Sequence, residues 1–517
     1  MKHATRISSR PLLVLVATSS LLGACTVGPD YRAPVVSVPQ TFGASSEAVA
    51  NDQDLAGFDR AAVEAEVSNW WATFGDDQLT ALVDRAVTGS PRIEIALERV
   101  EQARAARRAR AGRLLPAIGA SGSGGRSKAS ANGPGPLAGL AEAGLASLEN
   151  ELYTVGFEAG WEVDLFGAVR RGREAAQARL EASEDALRGS LLLLASEVAD
   201  AYIELRGAEL RLQLAQRNLD IQQDALDVIE AKVDSGLLPP IDVERTRTER
   251  ASLVAALAPL RAQRAASAHR LAVLLGEPPT ALLAELESGG TSRVPESNIE
   301  VDLGAPADLL LRRPDLRAAE RELQARTAEL GAAIADRYPK ITLGGSYGLE
   351  AASLSDLLES ASRTWSFGPS LDLPIFQGGR LEAQVEVARS RLRAAEAEWR
   401  LAVLRSLEDV ESGVVGLREA KAAREAWAEA AASSRRTSEL AGVLYDLGLR
   451  DHLVLLDAQR SQTAIEDALA VARVQVARST VALYRALGGG WQGLEAAIEP
   501  GEATAEEAVP VAESERD

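Results

Sequence analysis

Two hydrophobic periods alternate along this chain. Between residues 153 and 165 every odd position is Tyr, Val, Phe, Ala, Trp, Val or Leu, while the even positions are Thr154, Gly156, Glu158, Gly160, Glu162 and Asp164. Period two over that length predicts a strand with one apolar and one polar face. Residues 340–349 alternate in the same way, with Ile341, Leu343, Tyr347 and Leu349 against Lys340, Thr342, Ser346 and Gly348. So do residues 365–375, with Phe367, Leu371 and Leu373 opposite Ser366, Ser370 and Asp372. A fourth strand at 118–125 is poorly patterned. Pro369 and Pro374 sit badly in a paired strand and predict bulges or strand ends.

Around the strands the period lengthens. Val198, Ala201, Leu205, Ala208, Leu212, Ala215, Leu219, Gln222, Leu226, Ile229 and Val233 follow steps of three and four, and only Gln222 is polar. That is a coiled-coil seam. Residues 380–447 hold no proline, and their glycines are Gly413, Gly416 and Gly442. A helix of that length reaches about 100 Å at ~1.5 Å per residue.

The chain is also a duplication. Phe157, Trp161, Phe166 and Arg170 match Phe367, Leu371, Phe376 and Arg380 at an offset of 210. Gly236 and Leu237 match Gly448 and Leu449, and Leu275 and Gly276 match Leu487 and Gly488, at 212. Pro91 matches Pro314 and Pro116 matches Pro339, at 223. The first repeat therefore carries 13 extra residues between Pro116 and Phe157, and the Gly/Ala/Ser-rich stretch 127–150 reads as a loop between strands.

Strands of this length with one apolar face suit a membrane β-barrel. Four of them cannot close one, and open edges are not tolerated in lipid. The chain must pool strands with copies of itself, and three copies give twelve, enough to leave a lumen. The fold class is then mainly helical: an antiparallel coiled-coil barrel carrying four membrane strands per chain, built on an internal two-fold repeat. Glu158, Glu162, Asp164 and Asp372 would face water inside the pore.

Composition narrows the function. Residues 1–24 read as a secretory signal, with Lys2, Arg6 and Arg10 before a short apolar stretch that ends at Cys25. Loss of those three cations takes the formal net charge from -19 to -22, which disfavours nucleic-acid binding. Cys25 is the chain's single cysteine and stands at a lipobox-like Leu-Gly-Ala-Cys, so it predicts a lipidated N-terminus rather than a disulfide. His3, His269 and His452 are scattered and predict no metal cluster. Glu158 and Glu162 lie on a repeating polar face, which pore lining explains more simply than catalysis.

Motifs along nearly the whole chain, from Cys25 to Trp491, carry a family resemblance. They are residues 25–34 (CTVGPDYRAP), Trp70 and Trp71 with Phe74 and Leu79, 161–167 (WEVDLFG), 312–320 (RRPDLRAAE), Tyr338 with Pro339, 373–380 (LPIFQGGR), 456–460 (LDAQR) and 484–491 (YRALGGGW). In this order they resemble the outer-membrane factor family, the TolC-like channels. The similarity is greatest to its lipoprotein branch, the NodT-type proteins that serve resistance-nodulation-division (RND) efflux pumps. The resemblance implies a homotrimer with a 12-stranded barrel on a 12-helix periplasmic tunnel. It implies a passive exit duct for drugs or other small solutes, with no cofactor, no metal and no enzymatic chemistry. It implies a periplasmic adaptor and an inner-membrane RND transporter as partners, and outer-membrane lipid around the barrel. A type I protein-secretion duct is the alternative, and the lipobox favours efflux over it.

The resemblance also implies sites. The tunnel closes where each repeat turns between helices, at 234–242 and 446–452. The aperture residues would be Leu453, Asp457 and Arg460, on one helix face by steps of four and three, with Asp234, Tyr445 and Asp446. Leu rings block a bore and Asp rings set cation preference. Gly236, Pro239, Pro240, Gly448 and Asp451 would meet the adaptor. The branch can place a Tyr-Arg pair before the second turn, tied to an Asp before the first, but Asp446 stands here where the Arg would be. Closure is therefore expected to rest on Asp457–Arg460 contacts or a cation. The domain plan is a signal at 1–24, an extended arm at 25–68, repeats at 69–286 and 306–491 joined by 287–305, and an acidic disordered tail at 492–517.

Overall fold

The computed structural model describes residues 26–34, 39, 42, 67–132, 139–141, 143, 147–282, 285–286, 293–297 and 312–498. Cys25 and the leader lie outside the described residues. The chain divides into two compact units, one made of residues 1–35, 100–183 and 319–399, the other of 36–99, 184–318 and 400–517.

The first unit holds one antiparallel sheet of β1 (Ala117–Lys128), β2 (Glu149–Val163), β3 (Lys340–Ala351) and β4 (Arg363–Asp372), paired in that order. The poorly patterned β1 is the longest departure from expectation. It pairs with β2 as far as Lys128 opposite Glu149, so both strands enter the stretch 127–150 expected to be loop. Ladder hydrogen bonds, not side-chain alternation, hold a strand this rich in Gly and Ser. At the other end β4 stops at Asp372, leaving Pro374 outside. Pro369 stays inside, opposite Leu343, on a strand that is an edge within the single chain.

Among the described residues, four helices run partly in this unit, and two of them pack on each other. Ala175 and Ala178 of α3 (Ala168–Asp234) pack on Ala325 and Ala328 of α5 (Pro314–Ala335). Small side chains bring the helix axes close, and Arg179–Glu329 at 2.5 Å and Arg321–Glu181 at 3.2 Å flank the contact. The start of the N-terminal arm is pinned here. The Val27 amide donates to Phe166 O at 3.1 Å, Arg171 pairs with Asp30 at 2.6 Å, and the Tyr31 hydroxyl donates to Glu320 at 2.8 Å.

The second unit is helical. It contains a 3-10 turn (Trp70–Phe74), α1 (Asp77–Gly89), the start of α2 (Pro91–Gly112), α4 (Ile241–Leu274), α7 (His452–Ala486), α8 (Trp491–Ile498), and parts of α3, α5 and α6 (Arg380–Asp446). Among the described residues no helix is long and apolar enough to cross a membrane. The predicted seam is the inward stripe of α3: Val198, Ala201 and Leu205 enter the main core, Ala208 is buried, and Leu226 and Ile229 pack on Val243 of α4.

Three of the quoted motifs converge in this core. Trp70 stacks on Tyr484 with centroids 5.6 Å apart and meets Trp71 and Phe74 edge-on. The Trp491 indole donates to Arg312 O at 3.1 Å, and the Arg188 and Arg317 guanidinium groups cover its ring at 5.3 and 5.6 Å. The start of α1 is tied in by a polar relay. Asp76 caps it through the Gln78 and Leu79 amides and accepts the Tyr202 hydroxyl at 2.9 Å; Arg206 then donates to Tyr202 at 3.1 Å. Burial raises the Tyr202 hydroxyl pKa well above its usual value, which keeps it a donor.

The expected tail boundary at 492 is corrected. Residues 491–498 form α8, and Trp491 and Leu494 are buried, because the indole supplies an apolar anchor and the acidic segment after it carries no aromatic residue. Residues 499–517 lie outside the described residues.

Candidate channel wall and aperture

The register sorts the sheet into two chemically distinct faces. One cross-strand row is Ala120, Phe157, Tyr347 and Trp365; the next is Gly119, Glu158, Ser346 and Ser366. Rows repeat this alternation along the strands. Phe157, Tyr347, Trp365, Phe367 and Leu371 share the apolar face and are all exposed in the single chain. An apolar face that large is a surface in need of cover. On the polar face Ser123 pairs with Thr154 and Ser346 with Ser366, each at 2.8 Å. Gly156 lies directly opposite Gly348 there. A Cβ on Gly348 would come within 2.6 Å of Val155 O and 2.9 Å of Gly156 Cα. The absence of both side chains lets the two backbones approach closely on the polar side.

Glu158 lies on this polar face opposite Ser346, and Glu162 opposite Thr342. Asp372 ends β4 opposite Lys340, whose ammonium turns to Asp336 at 2.8 Å. Asp164 is corrected as a strand-face residue. β2 ends at Val163, and the Asp164 carboxylate accepts the Val169 and Arg170 amides at 3.2 and 2.8 Å and pairs with the Arg170 guanidinium at 3.3 Å. It caps the free N–H groups that open α3, a stronger demand on a carboxylate than solvent. Two other residues of that motif are also structural: the Trp161 indole donates to Leu114 O at 2.9 Å and Phe166 stacks on Tyr338 at 4.7 Å.

In the second unit the two repeats turn by the same device. The Gly236 amide donates to Val233 O at 2.9 Å and the Leu237 amide to Lys232 O at 2.8 Å; Gly448 and Leu449 do the same to Tyr445 and Leu444, both at 2.9 Å. Both glycines have φ near +70°. This is the Schellman closure of a helix, which needs a left-handed residue that glycine supplies without strain. Pro239 and Pro240 lead into α4 and are exposed. Asp451 is the N-cap of α7, accepting the Val454 amide at 3.2 Å.

Leu453, Asp457 and Arg460 form one exposed face at the start of α7. The expected Asp457–Arg460 contact is corrected: the Arg460 guanidinium binds Glu249 of α4 instead. Glu249 is mostly buried, so the cation is worth more to it than to the exposed Asp457. Asp234 and Asp446 end their helices exposed, and among the described residues neither has an ion-pair partner. Tyr445 is held by a residue the sequence reading passed over. The Lys232 ammonium donates to its hydroxyl at 3.3 Å and lies 4.6 Å from its ring centroid. Lys232 stands two positions before Asp234, so this side of the turn already carries a cation.

Comparison with known proteins agrees with this architecture. The family model described as "outer membrane efflux protein" matches residues 82–277 and 305–489, one segment per repeat. The chain belongs to the outer membrane efflux protein family. Among curated relatives, Nodulation protein T of Rhizobium leguminosarum bv. trifolii is 31% identical over 479 residues, covering 92% of this chain and 96% of that protein. Outer membrane protein OprJ of Pseudomonas aeruginosa is 31% identical over 478 residues, covering 91% and 94%. Among solved structures, the outer-membrane channel OprN aligns with a TM-score of 0.80 at 34% identity, covering 90% of this chain and all of that one. The open state of the Neisseria gonorrhoeae MtrE outer membrane channel aligns at 0.75 and 28%, covering 91% and 99%. This member of the efflux family is thus an outer-membrane channel subunit, mainly helical with a four-stranded membrane sheet.

Proposed function

We propose that three copies of this chain form the exit duct of a tripartite RND-type efflux pump, passing small solutes from periplasm to exterior. The observation that carries it is the sheet: four strands with two free edges, an exposed aromatic face and a polar face lined by Gly, Ser and Glu. Free edges cannot stand in lipid, so β4 of one copy pairs with β1 of the next until twelve strands close. The apolar face then meets lipid and Glu158, Glu162 and Asp372 meet water in the bore. The helices extend the bore into the periplasm, where the turns at 234–242 and 446–452 face an adaptor through Gly236, Pro239, Pro240, Gly448 and Asp451. Leu453, Asp457 and Arg460 narrow the end. Cys25 carries the acyl chains that anchor the arm, and an inner-membrane transporter supplies the solute.

Single-channel recording of the full-length protein in planar bilayers tests this reading. Acidic rings predict cation preference, and Glu158→Gln with Glu162→Gln should lower the cation-to-anion permeability ratio severalfold. A ratio unmoved by the double substitution removes these residues from the bore. The second expectation concerns the aperture. Asp446→Arg places a cation within reach of an exposed carboxylate at the turn and should lower open probability; unchanged conductance would separate Asp446 from closure.

A further inference from the structure

The two helical turns of the second unit are joined by a buried contact that lies outside the aperture motif. His452, the first residue of α7, is 2% exposed, and its Nε2 lies 3.1 Å from the Thr246 hydroxyl of α4. Thr246 is fully buried and spends its one proton on Asp242 O at 2.8 Å. Toward the imidazole it can therefore only accept, which fixes the proton on His452 Nε2. Nδ1 is then a bare lone pair, buried and without a partner among the described residues.

The surroundings resist a second proton at that atom. A protonated Nδ1 would be a buried donor with nothing to receive it, a costly arrangement. His452 also opens a helix, where the axial dipole opposes positive charge. From α6 the edge of Tyr445 covers the ring at 5.6 Å, with the Lys232 ammonium of α3 on that tyrosine. From α4 come Arg245 and Asp242, paired with each other at 3.6 Å, and from the preceding turn Asp451, whose carboxylate already caps Val454.

We propose that His452 and Thr246 form a proton-sensitive clasp between the two helical turns of each subunit, closed while His452 is neutral and released when it is protonated. Burial holds the imidazole below its ordinary value near 6.5; Lys232 and Arg245 push the same way, and Asp242 and Asp451 oppose them. The sign follows. The released form takes up its proton near pH 6.5, whereas the clasped form resists to lower pH. Clasp stability is complete above that value and falls as pH drops through it, by up to tenfold in the opening equilibrium per pH unit, until the clasped form also titrates. Only the consequence for conductance rests on reading these turns as the channel's aperture.

Hydrogen-exchange mass spectrometry on the full chain in detergent between pH 8 and 5, corrected for intrinsic exchange, reads the clasp directly. Protection of segments 241–248 and 452–456 should fall at least severalfold from pH 7 to 5.5, while the α4 core at 268–274 stays constant. His452→Gln keeps a donor toward Thr246 without a titrating ring and should flatten that dependence. Thr246→Val keeps the ring but removes the acceptor; it should loosen both segments at pH 7 and shrink the pH response. Flat protection in the unmodified chain, or a full response in either variant, overturns the clasp. Conductance recorded over the same pH range separates the two readings. Segments that loosen without any change in open probability would overturn the aperture assignment and leave the clasp standing.

Discussion

Gly348→Val should abolish assembly of the membrane sheet while Gly160→Ala leaves it intact. Both glycines lie on the polar face, and sequence gives no reason to rank them. Their surroundings do. A Cβ at Gly348 meets Val155 O at 2.6 Å and the Gly156 Cα at 2.9 Å, whereas nothing lies within 4 Å of a Cβ at Gly160. The obstructing atoms are backbone of the paired strand, so relief requires β2 and β3 to separate or flatten. Overpacking of this kind costs about 1–3 kcal/mol per site, and a closed barrel of three subunits meets it three times. The yield of detergent-extracted oligomer, measured by size exclusion with light scattering, should drop at least tenfold for Gly348→Val. Normal oligomer from that variant would show that the sheet does not depend on close approach at this row.

Trp70→Ala should be the most damaging single substitution in the second unit, and Trp70→Phe should be mild. Trp70 has no exposed surface, and its ring is enclosed by Tyr484, Trp71 and Phe74. Truncating a buried Trp removes about 3–5 kcal/mol, and at this position it leaves Tyr484 facing a void. The Phe variant keeps a ring against Tyr484. It also removes an indole N–H that is buried without a hydrogen-bond partner among the described residues, and such a donor carries a penalty of about 1–3 kcal/mol. Loss of volume and relief of the unpaired donor act in opposite directions. Thermal unfolding followed by circular dichroism should place the Ala variant many degrees below the parent and the Phe variant close to it. A Phe variant as unstable as the Ala variant would mean that the indole N–H has a partner after all.

The sheet and the seam were legible because each answers to a local period. Alternation between residues 153 and 165 states both the strand and its apolar side, and the 3-4 spacing from Val198 to Val233 states the buried stripe of α3. Repeated signals such as Gly236 and Gly448 located the turns, since a helix closing on a left-handed residue selects glycine wherever it occurs. Three matters had no such signal. Strand β1 lacks alternation because Gly and Ser contribute pairing without a patterned face, so its extent was set only by its partner β2. Asp164 continues the even-numbered polar series, yet its carboxylate is claimed by the amides of a helix that begins four residues later.

The aperture shows the limit most clearly. The spacing of Leu453, Asp457 and Arg460 determined that they share a face. Which acid Arg460 binds, and that Tyr445, Lys232, His452 and Thr246 meet at all, depends on residues about 210 positions apart being brought side by side by the turning of two repeats. Periodicity reports which side of an element is buried; it carries no information about which distant side chain arrives there. Local periods and repeated motifs suffice for most of the elements, for the duplication and for the need for copies, since four strands cannot satisfy their own edges. The polar contacts come from long-range packing, because desolvation by the packed neighbours sets which charge or proton each group keeps.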